Sequence, residues 1–479
     1  MSLQEKAVNG VIWNTISRFS SYGLEFVIGI FLARILGPKD FGVIASITVI
    51  IALLEVFINS GYSQALIRER QFDQIAFSTV FWFNLLIGLL VYAIIYFSSN
   101  IISVFFNTGN IAYYIQALSL TLIINSISLI QRTILTRDIN FKKQTFIAVI
   151  STIVAGICAL VLAVRGYGVW SLVFKILVFR SVECVLLWTS TRWYPILKFS
   201  LNHLKTLTKF ASKLLISGLI DVSLKNINYI VVSKFLSVTT LGFYTRAEMF
   251  KNLPSQNLTS IMTTVSYPAL SVVQDDKEKL TKGFEKVFTL TYYISCLLMF
   301  TLLGVSSTLV LSMLGDKWEG SIPLLQLLCL VGLFNPINSL CGNLLNVVGK
   351  SNIYLNLQVV ANILLIPSIF FGVLFGIEYL IIGNLVSCIF MYLLFGHYTA
   401  KFVDYTLNKQ LIDVGKNLIF GIILCISLLL FGHFLNIPNV YILIIQFGFA
   451  LLFFFISGEV MKIKEYMYIK NLILRKYGK

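Results

Sequence analysis

The sequence predicts an all-α polytopic membrane protein of about 14 transmembrane helices: two six-helix bundles, related as a repeat, followed by two C-terminal helices. Three observations carry this. Only 12% of the 479 residues are charged while 57% are hydrophobic, against about 25% charged in soluble domains. Mean hydropathy is +0.86, and apolar stretches long enough to cross a ~30 Å hydrocarbon core recur from end to end. Positive charge is also segregated along the chain, which only a membrane topology explains.

The stretches fall at 11–36, 41–66, 75–98, 111–136, 144–164, 168–189, 210–233, 240–270, 287–314, 322–348, 353–376, 378–400, 417–435 and 439–458; the second and eighth are polar for spans. They divide the chain into a first six-helix lobe at 1–200, a second at 201–409, two further helices at 410–458 and a basic tail at 459–479. Short connections leave no room for a soluble catalytic domain. The first stretch contains Arg18 and Glu25 and runs too long for a cleavable signal peptide.

Lys and Arg outnumber Asp and Glu by 37 to 21, a net charge of +16. Of these cations, twenty-four lie in alternate loops on the side of both termini and four (Lys39, Arg165, Lys234 and Lys317) on the other. That places both termini in the cytoplasm and accounts for the charge without nucleic acid. The seven Cys contain no C-x-x-C, and His203, His397 and His433 are scattered, so no metal site is expected. Tail cations Lys462, Lys464, Lys470, Arg475 and Lys476 alternate with apolar residues, as in a helix lying on the anionic inner leaflet.

An internal repeat supports the two lobes. Arg34-Ile-Leu-Gly-Pro-Lys-Asp-Phe-Gly42 overlays Lys234-Phe-Leu-Ser-Val-Thr-Thr-Leu-Gly242 at an offset of 200 residues, matching the cation, Leu36/Leu236, Phe41/Leu241 and Gly42/Gly242. Both copies follow an unusually polar first span.

Ionisable groups inside spans are costly, about 2.5–3.5 kcal/mol each at a helix centre, and therefore informative. In the first span, Asn14, Arg18, Tyr22 and Glu25 share one helical face. In the seventh, Ser217, Asp221, Lys225 and Asn228 repeat the same 4, 4, 3 spacing. Together these stripes would wall a cavity between the halves. Further cations are Arg132, Lys175, Arg180, Arg246 and Lys251; the acids are Glu25, Glu55, Glu183, Asp221 and Glu248. An excess of cations suits an anionic head group, and the planar fork of Arg suits phosphate. Arg18, Lys225, Arg246, Lys251 and Arg132 are thus the candidate contacts for such an anionic head group. Asn14, Tyr22, Glu25, Glu55, Asp221 and Asn228 are the candidate polar or coupling groups. Local pairing is the plainer reading for Arg180–Glu183 and competes for Asp221–Lys225; Lys175 could snorkel to an interface.

Gly342 to Ser351 resembles a P-loop, but six residues separate its glycines where four are needed, and it follows an apolar span. Without an ATP site, transport is expected to be secondary, with H+ or Na+ as coupling ion and no other cofactor.

The opening Trp13-Asn14-x-x-Ser17-Arg18 and the run Leu32-Ala33-Arg34-Ile35-Leu36-Gly37-Pro38-Lys39-Asp40-Phe41-Gly42-Val43 resemble the start of Wzx-type polysaccharide flippases. These belong to the multidrug/oligosaccharidyl-lipid/polysaccharide exporter superfamily. Gly61 to Ile67, Leu241-Gly242-Phe243-Tyr244-x-x-Ala247 and Asn346 to Ser351 are similar to its capsule and teichuronic-acid branch. The resemblance implies a transporter that moves an undecaprenyl-diphosphate-linked oligosaccharide across the bacterial inner membrane by alternating access. It implies Arg18 as a diphosphate contact and 417–458 as a lipid groove. Its partners would be the polyprenyl-diphosphate-linked oligosaccharide, membrane lipids and polysaccharide polymerase machinery. A drug or metabolite exporter of the same fold would call for an excess of acids instead. A membrane-embedded polymerase would need a sizeable outer loop.

Overall fold

The computed structural model describes residues 13, 20–21, 23–59, 61–68, 73–106, 111–435, 437–460, 466–467 and 470. Among them every regular element is helical. The helices are α1 (23–35), α2 (Pro38–Asn59), α3 (Tyr62–Arg68), α4 (Gln74–Phe105), α5 (Ala112–Arg137), α6 (Phe141–Val164), α7 (Val169–Thr191), α8 (Leu201–Val231) and α9 (Val238–Ser271). They continue with α10 (Lys277–Gly304), α11 (Ser306–Met313), α12 (Ser321–Val347), α13 (Ser351–Phe375), α14 (Ile377–Thr399), α15 (Leu407–Phe434) and α16 (Asn439–Val460).

Eleven described helices are long and apolar enough to cross a membrane. The expected figure of about 14 rests on three more. Of these, α1 is only partly described, α7 carries Lys175, Arg180 and Glu183 within one span, and α9 is polar, with Pro254 and Pro268 inside it. Four helices begin at a side chain that satisfies one of their first N–H groups. Asp73 caps α4, Asn140 caps α6, Ser200 caps α8 and Asp276 caps α10. Pro38 opens α2 with its fixed φ, while the Asp40 carboxylate accepts from the Gly37 N–H at 2.9 Å.

The chain forms two compact units, Met1–Gly242 and Phe243–Lys479. In the first, α4 packs along α5 and α6 along α7, and α2 lies against α5 and α7. Val43, Ile47, Ile51 and Ile58 of α2 meet Leu118 and Leu122 of α5 and Val173 of α7 in one core. Lipid tails are as apolar as these side chains, so close packing rather than water exclusion holds such helices together. On α6 that closeness comes from a buried row of small residues, Ala155, Ala159 and Ala163. The connection 192–200 is stitched to the start of α4: Trp82 Nε1 donates to the Ile196 carbonyl at 3.0 Å, and the Ser200 N–H donates to Thr79 Oγ1 at 3.0 Å. From there α8 packs on α2, α3 and α4, and its end widens into a π-helical turn at Val232–Leu236.

In the second unit α10 is the central element. Its residues Phe284, Phe288, Tyr292, Cys296 and Met299 recur every three or four positions and pack on Leu333, Ile337 and Leu344 of α12 and Tyr392 and Phe395 of α14. Helix α15 runs along α10, and α13 along α14. All seven Cys are free, and Cys296, Cys329, Cys341 and Cys425 are buried in the packing as small apolar residues.

Candidate functional site

Arg18, Asn14 and Tyr22 lie outside the described residues, as do most of the tail cations. Every other candidate is placed, and the first unit ties most of its charges together.

Four groups at membrane depth form an alternating chain across three helices. Arg180 of α7 reaches Glu55 of α2 at 3.1 Å and Glu183, one turn along its own helix, at 3.5 Å. Glu183 in turn lies 3.0 Å from Nη2 of Arg132 on α5, whose other Nη donates to Asn125 Oδ1 at 3.4 Å. Side-chain exposure is 14–31% for these groups. Each acid faces one or two cations, so the cluster is formally neutral and its mutual attraction offsets much of the desolvation cost. The local Arg180–Glu183 pair read from spacing is present, but it is the middle of a longer network. Its cross-helix members are separated by 125 positions (Glu55 and Arg180) and 51 positions (Arg132 and Glu183), so helix periodicity cannot signal them.

Two more pairs complete the first unit. Lys175 of α7 does not snorkel away but lies 3.6 Å from Glu25 of α1. Lys225 donates to Asp221 at 2.8 Å one turn apart on α8, and both side chains are more than half exposed. Asn228, next on that stripe, presents a buried Oδ1 with no hydrogen-bond partner among the described residues. The excess of cations expected from composition is therefore absent around Glu25, Glu55, Glu183 and Asp221, because each of these acids faces a cation.

The second unit differs. Lys251 of α9 is only 6% exposed and has no ion pair or hydrogen bond among the described residues. Its stem runs over Gly332 of α12, where an added Cβ would lie 3.3 Å from the lysine Cγ. Met299 Sδ is the nearest atom to that same position, at 2.6 Å; further along α12, Asn338 donates to the Cys388 carbonyl at 3.2 Å and keeps a buried, unpartnered Oδ1. Arg246, five residues earlier on α9, is half-buried and contacts Met249 Sδ at 3.3 Å. A largely buried lysine with no carboxylate partner attracts an anion more strongly than the paired cations of the first unit. No group of three metal-ligating side chains occurs among the described residues.

Residues 31–323 match the family described as "Polysaccharide biosynthesis protein", more than half of the chain. The chain belongs to that family. Among curated proteins of polysaccharide biosynthesis, it is 28% identical over 374 residues to the lipopolysaccharide biosynthesis protein WzxC of Escherichia coli (strain K12), covering 78% of this chain and 76% of that one. It is 26% identical over 328 residues to the succinoglycan biosynthesis transport protein ExoT of Rhizobium meliloti (strain 1021), covering 68% and 66%. With the teichuronic acid biosynthesis protein TuaB of Bacillus subtilis (strain 168) it shares 22% identity over 355 residues, 74% and 73% of the two chains. Two solved structures share the fold. The lipid II flippase MurJ in an inward closed conformation superposes with a TM-score of 0.73 at 15% identity, over 98% of this chain and all of that one. An inward-facing multidrug resistance transporter of the MATE family gives 0.59 at 14% identity, over 82% and 98%. The transporter fold expected from the Wzx-type resemblance is thus the fold observed.

Proposed function

We propose that this protein is a flippase that moves polyprenyl-diphosphate-linked oligosaccharide units across the bacterial inner membrane for surface polysaccharide synthesis. One observation carries the reading. A member of a polysaccharide biosynthesis family consists almost wholly of membrane-crossing helices, and its longest described connection is 192–200. Among the described residues no connection is long enough to form a domain that binds a nucleotide sugar. The step open to the chain is passage of a finished lipid-linked intermediate. It is a transporter, not an enzyme, and the names of WzxC, ExoT and TuaB as biosynthesis or transport proteins support this.

Sugar and diphosphate cannot enter hydrocarbon, where polar groups lose their water without replacement. Alternating access replaces that water with polar side chains open to one leaflet at a time. Lys251, Arg246, Lys225, Arg132 and Arg18 are the cations proposed to hold the diphosphate; Glu25, Glu55, Asp221, Asn14, Tyr22 and Asn228 are the polar groups proposed along its path. A coupling ion, H+ or Na+, cytoplasmic termini and association with polymerase machinery belong to the same proposal.

The test is genetic and direct. A strain lacking the gene should lose surface polysaccharide and accumulate lipid-linked repeat units facing the cytoplasm, and the purified protein in proteoliposomes should translocate them. Unchanged surface polysaccharide together with no translocation would remove the reading.

A further inference from the structure

A flippase must carry only the head group through a wet path; the prenyl chain remains in hydrocarbon throughout and needs an apolar surface alongside. The first unit has such a surface outside the charged network. A groove of about 580 Å³ runs between α4 and α8, closed at its base by α2 and α3 and lined by Phe57, Tyr62, Phe83, Leu90, Ala211 and Ile216 among others. That volume lies within the range of ligand pockets, about 300–1,000 Å³. Its polar atoms turn inward: the Tyr62 hydroxyl pairs with Thr208 Oγ1 at 2.8 Å, and Thr208 also donates to the Leu204 carbonyl. What remains is hydrocarbon and aromatic wall. Along α4 the lining extends from Phe83 to Ile94, about 16 Å at 1.5 Å per residue.

The mouth of the groove on α8 is basic. Lys205, Lys209 and Lys213 follow one another every fourth residue, all exposed, and none has a carboxylate partner among the described residues. At 100° per residue, Lys205 and Lys209 border the lining positions Ser212 and Ile216. Arg68 of α3 adds a fourth exposed cation, its guanidinium 5.4 Å from the Phe210 ring. What sets this row apart is its place: three exposed lysines on successive turns of one helix, on the edge of an apolar groove. A phospholipid presents one phosphate charge at such a row; a diphosphate presents more charge to several cations at once.

We propose that the α4–α8 groove holds the prenyl chain of the lipid-linked substrate while Lys205, Lys209 and Lys213 hold its diphosphate before entry. This rests on the flippase reading and assigns the substrate's lipid end a place on the first unit.

The experiment uses the full-length protein in phosphatidylcholine nanodiscs and undecaprenyl diphosphate carrying a diazirine on its prenyl chain. Crosslinks should map to 83–94 and 208–216, and unlabelled undecaprenyl diphosphate, but not phosphatidylglycerol, should compete them away. The triple variant Lys205→Glu, Lys209→Glu, Lys213→Glu should reduce this labelling about fivefold or more. Ile216→Trp and Leu90→Trp fill the groove from positions 59% and 54% exposed, where folding is undisturbed, and should do the same; unchanged thermal melting verifies the fold. Equal, uncompeted labelling by a diazirine phosphatidylglycerol would show that bulk lipid fills the groove and overturn the proposal. Competed labelling confined to other helices would overturn the groove and leave the flippase reading standing. No competed labelling anywhere would bring down both.

Discussion

Gly42 and Gly242 make reciprocal contacts: a Cβ on Gly42 would lie 1.7 Å from the Val238 carbonyl oxygen, and one on Gly242 would lie 1.9 Å from that of Pro38. Positions 38 and 42 thus meet positions 238 and 242, each pair 200 residues apart. The two loops whose sequences overlay at that offset also pack on one another as mates, with Ser46 and Ser233 hydrogen-bonded at 2.6 Å beside them. The weak sequence match is explained by this contact, which demands a glycine in each copy and little else. Gly42→Ala and Gly242→Ala should each lower stability by about 1–3 kcal/mol, because backbone must move to admit the methyl. Gly415→Ala, with nothing within 4 Å of its added carbon, should be neutral or slightly stabilising. Thermal melting of the three variants in one detergent decides; equal melting temperatures would refute the close approach.

Arg180 is the hinge of the charged network, since it alone touches two acids. Arg180→Ala should cost about 1–3 kcal/mol, less than a fully buried pair because solvent reaches part of each group. Arg180→Lys cannot fork to both acids and should recover only part of the loss. Combining Glu55→Gln with Arg180→Gln should cost less than the two changes added, by about 0.5–3 kcal/mol. Strict additivity in that cycle would mean that the 3.1 Å contact contributes nothing.

Asp276 caps α10, accepting from the Lys279 N–H at 3.1 Å and pairing with the Lys279 ammonium at 2.9 Å. The lysine side chain first, and the backbone N–H next, hold its carboxyl below the ordinary value. A carboxyl lowered in the folded state adds stability above its unfolded pKa of about 3.9 and loses that contribution as pH falls through the folded value. Asp276→Ala should therefore lower the melting temperature more at pH 7 than at a pH below the folded value of this carboxyl. Asp276→Asn should keep most of the cap at both. A pH-independent effect of the alanine would exclude the charged cap.

Legibility in the sequence followed the range of the interaction. Span positions, the repeat, the Asp221–Lys225 and Arg180–Glu183 pairs and the mid-membrane cations could be read because each depends on neighbours within about one turn or on lipid as a uniform solvent. The links Glu55–Arg180, Arg132–Glu183 and Glu25–Lys175 depend on which helices lie side by side, and no local spacing encodes that. For the same reason an overall cation excess suggested a basic interior, whereas packing neutralises most of it in the first unit. The groove on α8 was missed because Lys205 and Lys209 count as loop charges until the helix is seen to start at Leu201.

Lys251 is the cation with the strongest case for direct contact with a diphosphate. A lysine only 6% exposed without a counter-charge among the described residues is costly, and its stem passes close to Gly332. Stability alone would favour an apolar residue there: replacing a buried charge by a side chain of similar volume is often neutral or stabilising by about 1–4 kcal/mol. Lys251→Met should accordingly melt at the same or a higher temperature than the natural protein while losing polysaccharide export and proteoliposome translocation. Lys251→Arg keeps the charge and should retain measurable transport. If Lys251→Met exports normally, the buried ammonium has no part in substrate passage, and the diphosphate must be held by other cations of the chain.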